Sequence, residues 1–342
     1  MSSIKDVARL AGVSYTTVSH VINGTRRVSD VARQRVLQAI SDSGYVPSAA
    51  ARSLRGAKAR ILGALVPDIS NPFCAELVLG LEKAARGAGH SLVLCSTEPD
   101  GADLGPQIDN LLARRVDGLL VVAGVFDSPR TAQVLRRTGV RNRLPLLLLD
   151  HSPADVRCDT LLARHRDAGR DATRHLLVLG HRRIACLSGP HGLAISQERV
   201  AGWRDALADA GVVPEPGWLA EGDFSLEAGH RHGLAWLRQG GVTAIFASND
   251  LMALGVLRAA AQAGVPVPGR LSVIGIDGID MGRYTYPALT TVGASLRQVG
   301  QEAGEMLLRR IQHPDSPPQK RWRALAVVAR ESTGPVPQDT LA

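Results

Sequence analysis

With 342 residues, 45% of them apolar and 21% charged, the chain is long enough for two or three domains and has the balance of a soluble globular protein. Its longest apolar runs, Leu119–Val122 and Leu146–Leu149, are strand-length, which excludes a membrane span, and no apolar segment follows Met1 to mark a secretory signal. Cys74, Cys95, Cys158 and Cys186 are scattered without a CxxC pair, so neither a disulfide framework nor a zinc site is expected, and a reducing, cytoplasmic setting is. The net charge of +8 is concentrated: residues 1–60 hold ten Lys/Arg against three acids, a surplus of seven. A short basic segment on a near-neutral body is the electrostatic footprint of a polyanion binder.

In that segment Ser3 and Asp6 form a capping pair ahead of a helix whose apolar positions are Ile4, Val7, Ala8, Leu10 and Ala11. Gly12 ends it, and Ser14 is an N-cap for a second helix from Tyr15 to about Ile22, with Val18, Val21 and Ile22 on one face. After Asn23-Gly24 a third helix runs from the Ser29 cap to about Ser43, with Val36, Leu37 and Ile40 inward and Gly44 as its stop. Two short helices around a tight glycine turn, with a supporting third, describe a helix-turn-helix whose second helix enters the major groove. Tyr15, Thr16 and His20 leave the apolar stripe of that helix and are expected to reach base edges.

The run Ile4-Lys5-Asp6-Val7-Ala8-Arg9-Leu10-Ala11-Gly12-Val13-Ser14, followed by Thr17-Val18-Ser19-His20-Val21-Ile22-Asn23, resembles the signature of the LacI/GalR family of repressors almost residue for residue. The DNA contacts expected from these residues are Tyr15, Thr16, Thr17, His20 and Asn23, with Arg26, Arg52, Leu54 and Arg55 beyond them. Pro47-Ser48-Ala49-Ala50-Ala51-Arg52-Ser53-Leu54-Arg55-Gly56 resembles that family's hinge helix. Such a segment is shorter than the roughly 12–15 residues an isolated helix needs in water, so it is expected to fold only when held against something. The resemblance implies that two hinge helices pair in the minor groove, with Leu54 wedged between base pairs.

From Ile61 the pattern alternates. Strand-like runs fall at Ile61–Val66, Ser91–Cys95, Gly118–Val122, Leu146–Leu149, Ile184–Leu187, Ala244–Ala247 and Ser272–Ile276. Between them lie amphipathic stretches such as Glu76–Ala88, Arg166–Leu179, Glu198–Ala210, Leu226–Arg238 and Leu251–Ala263. Pro314–Gln319 is expected as a surface loop before a last strand, Ala324–Ala329. Alternating βαβ units with apolar strands predict parallel sheets covered by helices, here two doubly wound α/β lobes.

The expected fold is therefore an all-α helix-turn-helix domain (1–47), a hinge helix or linker (48–60), and an α/β effector domain. By resemblance to the family, whose effector domain is similar to periplasmic sugar-binding proteins, the N-terminal lobe is 61–160 plus 291–321 and the C-terminal lobe 161–290 plus 322–342. Crossings between lobes are expected near 161, 290 and 322.

A sugar pocket needs carboxylates, amides and an arginine to pair with hydroxyls, and an aromatic face for the ring. The resemblance places Asn71, Phe73, Asp150, Arg199, Phe224, Asn249 and Asp277 at ligand-contacting positions, although each Asp or Asn alone is equally suited to capping a helix. The ribose and purine repressors are the most similar members in appearance. Arg164-His165-Arg166 departs from the Asp-Asn pair usual at that point, and Ala294 replaces a polar residue.

No Walker A, GxGxxG, GxSxG or HExxH motif is present, so no enzyme, cofactor or metal is expected, and His230 and His232 are assigned a structural or surface role. A DNA-free sugar-binding protein or enzyme leaves the basic N-terminus unexplained. The expected partners are a near-palindromic operator with a central CpG, a second copy of the chain, and a small polar effector, a pentose such as ribose or a nucleoside; a purine-type corepressor is the alternative. The expected location is cytoplasmic, on the nucleoid.

Overall fold

The computed structural model describes residues 3–23, 26–45, 59–97, 104–122, 129–141, 143–150 and 156–336. The chain divides into two compact units, Met1–Ala59 and Arg60–Ala342. The expected hinge helix, with Arg52, Leu54 and Arg55, lies outside the described residues.

In the first unit, α1 (Ile4–Ala11) opens with a reciprocal cap: Asp6 N–H donates to Ser3 Oγ at 3.3 Å while Ser3 N–H donates back to Asp6 Oδ2 at 2.9 Å. Gly12 takes a left-handed φ of 62° at the turn, and α2 (Tyr15–Asn23) follows directly. α3 (Asp30–Ser43) is capped by Ser29 and stopped by left-handed Gly44. Val7, Ala8, Ala11, Val18, Val36 and Ala39 make the buried centre, with Val21, Ile22 and Ile40 against it. Leu10 and Leu37, expected on the apolar faces, instead lie 61% and 52% exposed, because the inward stripe of three short helices is already filled by smaller residues.

The second unit holds two six-stranded sheets among the described residues. The first sheet runs β11 (Lys320–Arg323), β5 (Asp159–Ala163), β4 (Leu146–Leu149), β3 (Gly118–Val122), β1 (Ile61–Val66), β2 (Ser91–Ser96), all parallel. The second runs β12 (Ala326–Val328), β10 (Thr290–Gly293), β9 (Ser272–Asp277), β8 (Ala244–Ala247), β6 (Ile184–Ser188), β7 (Leu219–Glu221), with only β12 antiparallel. Each strand order reverses once, beside β1 in the first sheet and beside β6 in the second, and such switch points are where open α/β sheets take ligands.

The chain passes from the first sheet to the second after Ala163, returns after Gly293, and passes again after Arg323. The positions expected for the first and last crossings, 161 and 322, fall inside β5 and β11; both strands stay paired with each other to Ala163 and Arg323 before the chain leaves. β5, β7, β10 and β11 were absent from the sequence-predicted strands. β7 and β11 are half-exposed edge strands where an apolar run is not required, while β5 and β10 are buried but open on polar pairs, Asp159-Thr160 and Thr290-Thr291, that break the apolar run.

Helices pack closely through reciprocal glycines. α7 (His165–Val178) and α8 (Ala194–Asp209) touch where a Cβ on Gly169 would meet the Arg199 carbonyl at 2.1 Å and one on Gly202 the Arg166 carbonyl at 2.0 Å. α9 (Leu226–Gln239) and α10 (Asp250–Gln262) meet the same way at Gly229 and Gly255. So do α4 (Pro72–Gly87) and α11 (Leu296–Gln312) at Gly80 and Gly300. Only glycine permits these backbone approaches, and the first of them sets Arg199 beside α7. The remaining helices are α5 (Gly105–Ala113) and α6 (Pro129–Arg136). No helix among the described residues is long and apolar enough to cross a membrane.

Candidate functional site

On the DNA-binding unit, the side chains of Tyr15 and Thr16 are exposed at the start of α2, and His20 is half-buried one turn later. Thr17 is differently employed. Its N–H donates to Ser14 Oγ at 3.1 Å and its hydroxyl lies 2.9 Å from the same oxygen, so Ser14 and Thr17 together cap the helix and fix its first turn. Asn23 is the last residue of α2, and Arg26 is exposed just beyond it. The helix thus presents Tyr15 and Thr16 at its positive end, with cations following.

In the second unit, all seven sequence-predicted effector residues fall at or just after strand C-termini or in the helix that follows. Asn71 is the N-cap of α4, accepting from Phe73 N–H at 3.0 Å, while Phe73 packs against buried residues of both lobes. Phe224 takes a left-handed φ of 67°, and its ring lies where a side chain on Gly189 would otherwise sit. Asn249 caps α10 through Oδ1 and donates from Nδ2 to the Phe224 carbonyl at 3.0 Å, so it holds that strained turn in place. The capping alternative is realised at Asn71, whose Oδ1 accepts from the backbone, and at Asn249, whose amide is committed to the backbone at both atoms.

Asp150, Arg199 and Asp277 are brought together by a residue the sequence did not single out as a contact, His165. Arg199 Nε and Nη2 lie 3.4 and 3.3 Å from His165 Nδ1, Arg199 Nη1 donates to the Ser248 carbonyl, and Nη2 is 3.7 Å from Asp277 Oδ1. His165 Nε2 is 3.5 Å from Asp150 Oδ1. Asp150 also accepts from Ala163 N–H at 2.8 Å and from Arg323 Nη2 at 2.9 Å. The result is one buried chain, Asp277–Arg199–His165–Asp150–Arg323, linking the second lobe to the first at two of the crossings. Since Nδ1 faces two guanidinium N–H groups it must accept, which leaves the ring proton on Nε2, toward Asp150.

The two carboxylates of this chain are unequal. Burial opposes ionisation of Asp150, but the Arg323 guanidinium and the His165 and Ala163 donors hold its carboxyl well below the usual range. Asp277 is pushed far above it by burial; Arg199 opposes this, while nearby Asp250 adds to it. Burial raises Asp250 too, yet that side chain accepts from Thr291 Oγ1 at 2.6 Å, Gly278 N–H at 2.8 Å and Ile279 N–H at 2.9 Å. Among the described residues the Asp277 carboxyl receives only the long Arg199 pair. Asp277 is therefore the carboxyl whose ionisation is the more strongly opposed. The cleft so offers an arginine with unspent N–H donors beside a protonatable carboxyl, with aromatic rings from each lobe.

Among the described residues no three His, Cys, Asp or Glu side chains could hold a metal ion. All four cysteines are unpaired, and burial pushes the Cys74 and Cys158 thiols up to about 12, away from thiolate chemistry.

Residues 3–48 match the family described as bacterial regulatory proteins, lacI family, and residues 173–333 match a periplasmic binding protein-like domain. The HTH-type transcriptional repressor PurR of Photobacterium profundum is 39% identical over 312 residues, covering 91% of this chain and 92% of its own. The protein of the same description from Aliivibrio fischeri (strain ATCC 700601 / ES114) is 40% identical over 318 residues, covering 92% and 93%. Among solved structures, the lac repressor dimer bound to operator and the anti-inducer ONPF superposes with a TM-score of 0.83 at 30% identity, covering 97% of this chain and 99% of that one. A LacI-family regulator from Enterococcus faecium with bound ribose gives 0.72 at 28%, covering 81% and 99%. The basic three-helix head, the two doubly wound lobes and these similarities agree: the chain belongs to the lacI family of bacterial regulatory proteins and is a DNA-binding transcriptional repressor, not an enzyme.

Proposed function

We propose that the protein binds a near-palindromic operator as a homodimer in the cytoplasm, on the nucleoid, and that a pentose or nucleoside held between the lobes controls that binding. Residues 1–47 read the half-site, with Tyr15, Thr16 and His20 on base edges and Arg26 on phosphate. The 48–60 segment folds against its partner copy at a central CpG, where Leu54 acts as the wedge and Arg52 and Arg55 hold the backbone. The lac repressor neighbour, a dimer bound to operator, supports the assembly.

The observation that carries the effector class is the Arg199–Asp277 pair, 3.7 Å apart and buried at the strand ends. One group donates and the other accepts or, protonated, donates, which suits hydroxyls or the edge of a nucleobase; Phe73 and Phe224 supply apolar ring faces. Ribose bound to a structural neighbour favours the sugar, and the PurR relatives favour the second reading, a purine-type corepressor.

A thermal-shift screen with ribose, other pentoses, hexoses, nucleosides and free purine bases tests the class, since a ligand at 100 times its Kd adds about 2.7 kcal/mol of apparent stability. A hit with ribose or a nucleoside supports the proposal; a hit with a purine base alone selects the corepressor reading. Operator binding with and without the hit then fixes the sign of control.

A further inference from the structure

We propose that His165 is the residue that transmits effector occupancy from Arg199 to the lobe crossings, and so sets how strongly an effector changes operator affinity. The inference rests on the effector reading above and assigns the regulation of that same site.

Lying between two sites does not make a residue a relay; what does is an element with two arrangements that both sites bias. His165 meets that condition through the hydrogen-bond inventory of its two neighbours. On one side, Arg199 spends Nε and Nη2 on His165 Nδ1 and Nη1 on the Ser248 carbonyl. An effector oxygen that engages the guanidinium beside Asp277 draws the planar group towards itself, so occupancy at Arg199 is felt at Nδ1 as a displacement of its two donors. On the other side, Nε2 faces Asp150, whose oxygens also hold Ala163 N–H and Arg323, the last residues of the first sheet before two of the crossings. The ring is almost fully buried, at 4% exposure, and it stands at the first residue of α7, one turn before the Gly169–Arg199 backbone contact. A rigid five-membered ring cannot shift at Nδ1 without shifting at Nε2. Nε2 is buried and makes no hydrogen bond at its 3.5 Å separation from Asp150, so moving the ring to follow Arg199 closes or widens that gap beside a carboxylate that anchors the crossings, where a hydrogen bond made or withheld counts for more than in water.

The side chain next to it takes no part. The Arg164 guanidinium lies over the half-exposed Trp322 ring, 5.1 Å from its centroid, so of the Arg164-His165 departure only the histidine enters the cleft.

The test uses two variants that separate the ends of the ring. In H165N the amide oxygen can occupy the Nδ1 position and keep Arg199's partner, while nothing reaches Asp150. In H165Q the amide reaches the Nε2 position but leaves no acceptor at Nδ1. Probe binding to the full-length protein is measured by calorimetry, with ribose, adenosine, hypoxanthine and guanine as probes. Operator Kd is measured with and without each probe, and a melting curve checks that each variant is folded. For a probe that changes wild-type operator affinity, H165N should bind it within threefold of wild type, yet operator affinity should change less than twofold. H165Q should bind it more weakly and also fail to switch. If H165N switches operator affinity as much as wild type, the proposal is overturned. If either variant loses probe binding tenfold but keeps the full switch at saturation, His165 is only a ligand contact and the proposal is again overturned. Wild type that responds to none of the four probes overturns the effector reading itself, and this inference with it.

Discussion

Arg323 Nη2 donates to Asp150 Oδ2 at 2.9 Å, with the two side chains only 10% and 7% exposed. One comes from the end of β4 and the other from the end of β11, 173 positions later. Removing the cation leaves a buried carboxylate with two weaker donors, so R323M is expected to lower unfolding free energy by about 3–5 kcal/mol. Because Asp150 is held below its ordinary value of 3.8, its contribution is fully present above that pH and lost as pH falls through it. Urea melts of wild type and R323M at pH 7 and at about pH 3 check both: the gap should narrow in acid.

The close contact of α7 and α8 admits no side chain at Gly202, where a Cβ would meet the Arg166 carbonyl at 2.0 Å and the Arg170 nitrogen at 2.6 Å. Both obstacles are backbone and cannot rotate away. G202A is expected to cost about 1–3 kcal/mol, by forcing the helices apart. It should also weaken effector binding, since Arg199 stands one turn before it on the same helix. Denaturant melts and probe titration of one preparation measure the two effects together.

His181 is fully buried, with Nδ1 2.9 Å from Thr243 Oγ1 and Nε2 3.0 Å from both Ser272 Oγ and the Gly334 carbonyl. Burial lowers its pKa from 6.5, and that of His175 nearby likewise. The unfolded chain therefore takes up protons first: stability is present above pH 6.5 and declines as pH falls below it. A melting temperature that stays level from pH 7.5 to 5.5 would contradict this, and H181Q should show a shallower slope than wild type.

Asp277 gives the opposite sign. With its pKa raised, the wild type should lose stability relative to D277N as pH climbs above the ordinary carboxylate value of 3.8. Below that value, where the carboxyl is protonated in both folded and unfolded chain, the amide matches it in shape and D277N should lie within about 1 kcal/mol of wild type, whereas at neutral pH D277N should be the more stable of the two. It should nevertheless bind the effector more weakly. Melting across pH and calorimetry with the screening hit separate the two.

At the DNA end, the wedge role proposed for Leu54 predicts that L54A reduces operator affinity and leaves effector binding nearly unchanged. Replacing Arg26 with alanine should instead flatten the salt dependence without relaxing base preference. Filter binding at several salt concentrations on cognate and mutated operators distinguishes them.

The sequence was most legible where one periodic face meets one core. The spans of β1, β3, β4 and β8 agree with the apolar runs that predict them, and the caps at Ser3, Ser14 and Ser29 sit where short polar residues precede apolar stripes. Leu10 and Leu37 misled because periodicity marks a face without saying how much of it three short helices can cover. Strands β10 and β11, Thr-rich and Arg-rich, carry no apolar run at all. The site divides the same way. The family resemblance pointed to Arg199, Asp277 and Phe224, but which partner each meets depends on contacts across long separations, such as Thr291 on Asp250 or Arg323 on Asp150. His165 was visible only as a departure from the family pattern, and nothing in one sequence says that its ring turns inward while Arg164 turns out.

Ala163 and Arg323 stand opposite each other as the last paired residues of β5 and β11, and one carboxylate grips both. The two peptides leaving them act mechanically as a single double strap, and the third connection, beyond Gly293, departs from the other sheet. A body fastened at two places is free to turn about the line between them and to do little else. A rotation of one lobe about that line would have a travel that grows with distance from it. The far rims of the lobes would sweep the widest, while the backbone beside Asp150 lies closest to the axis.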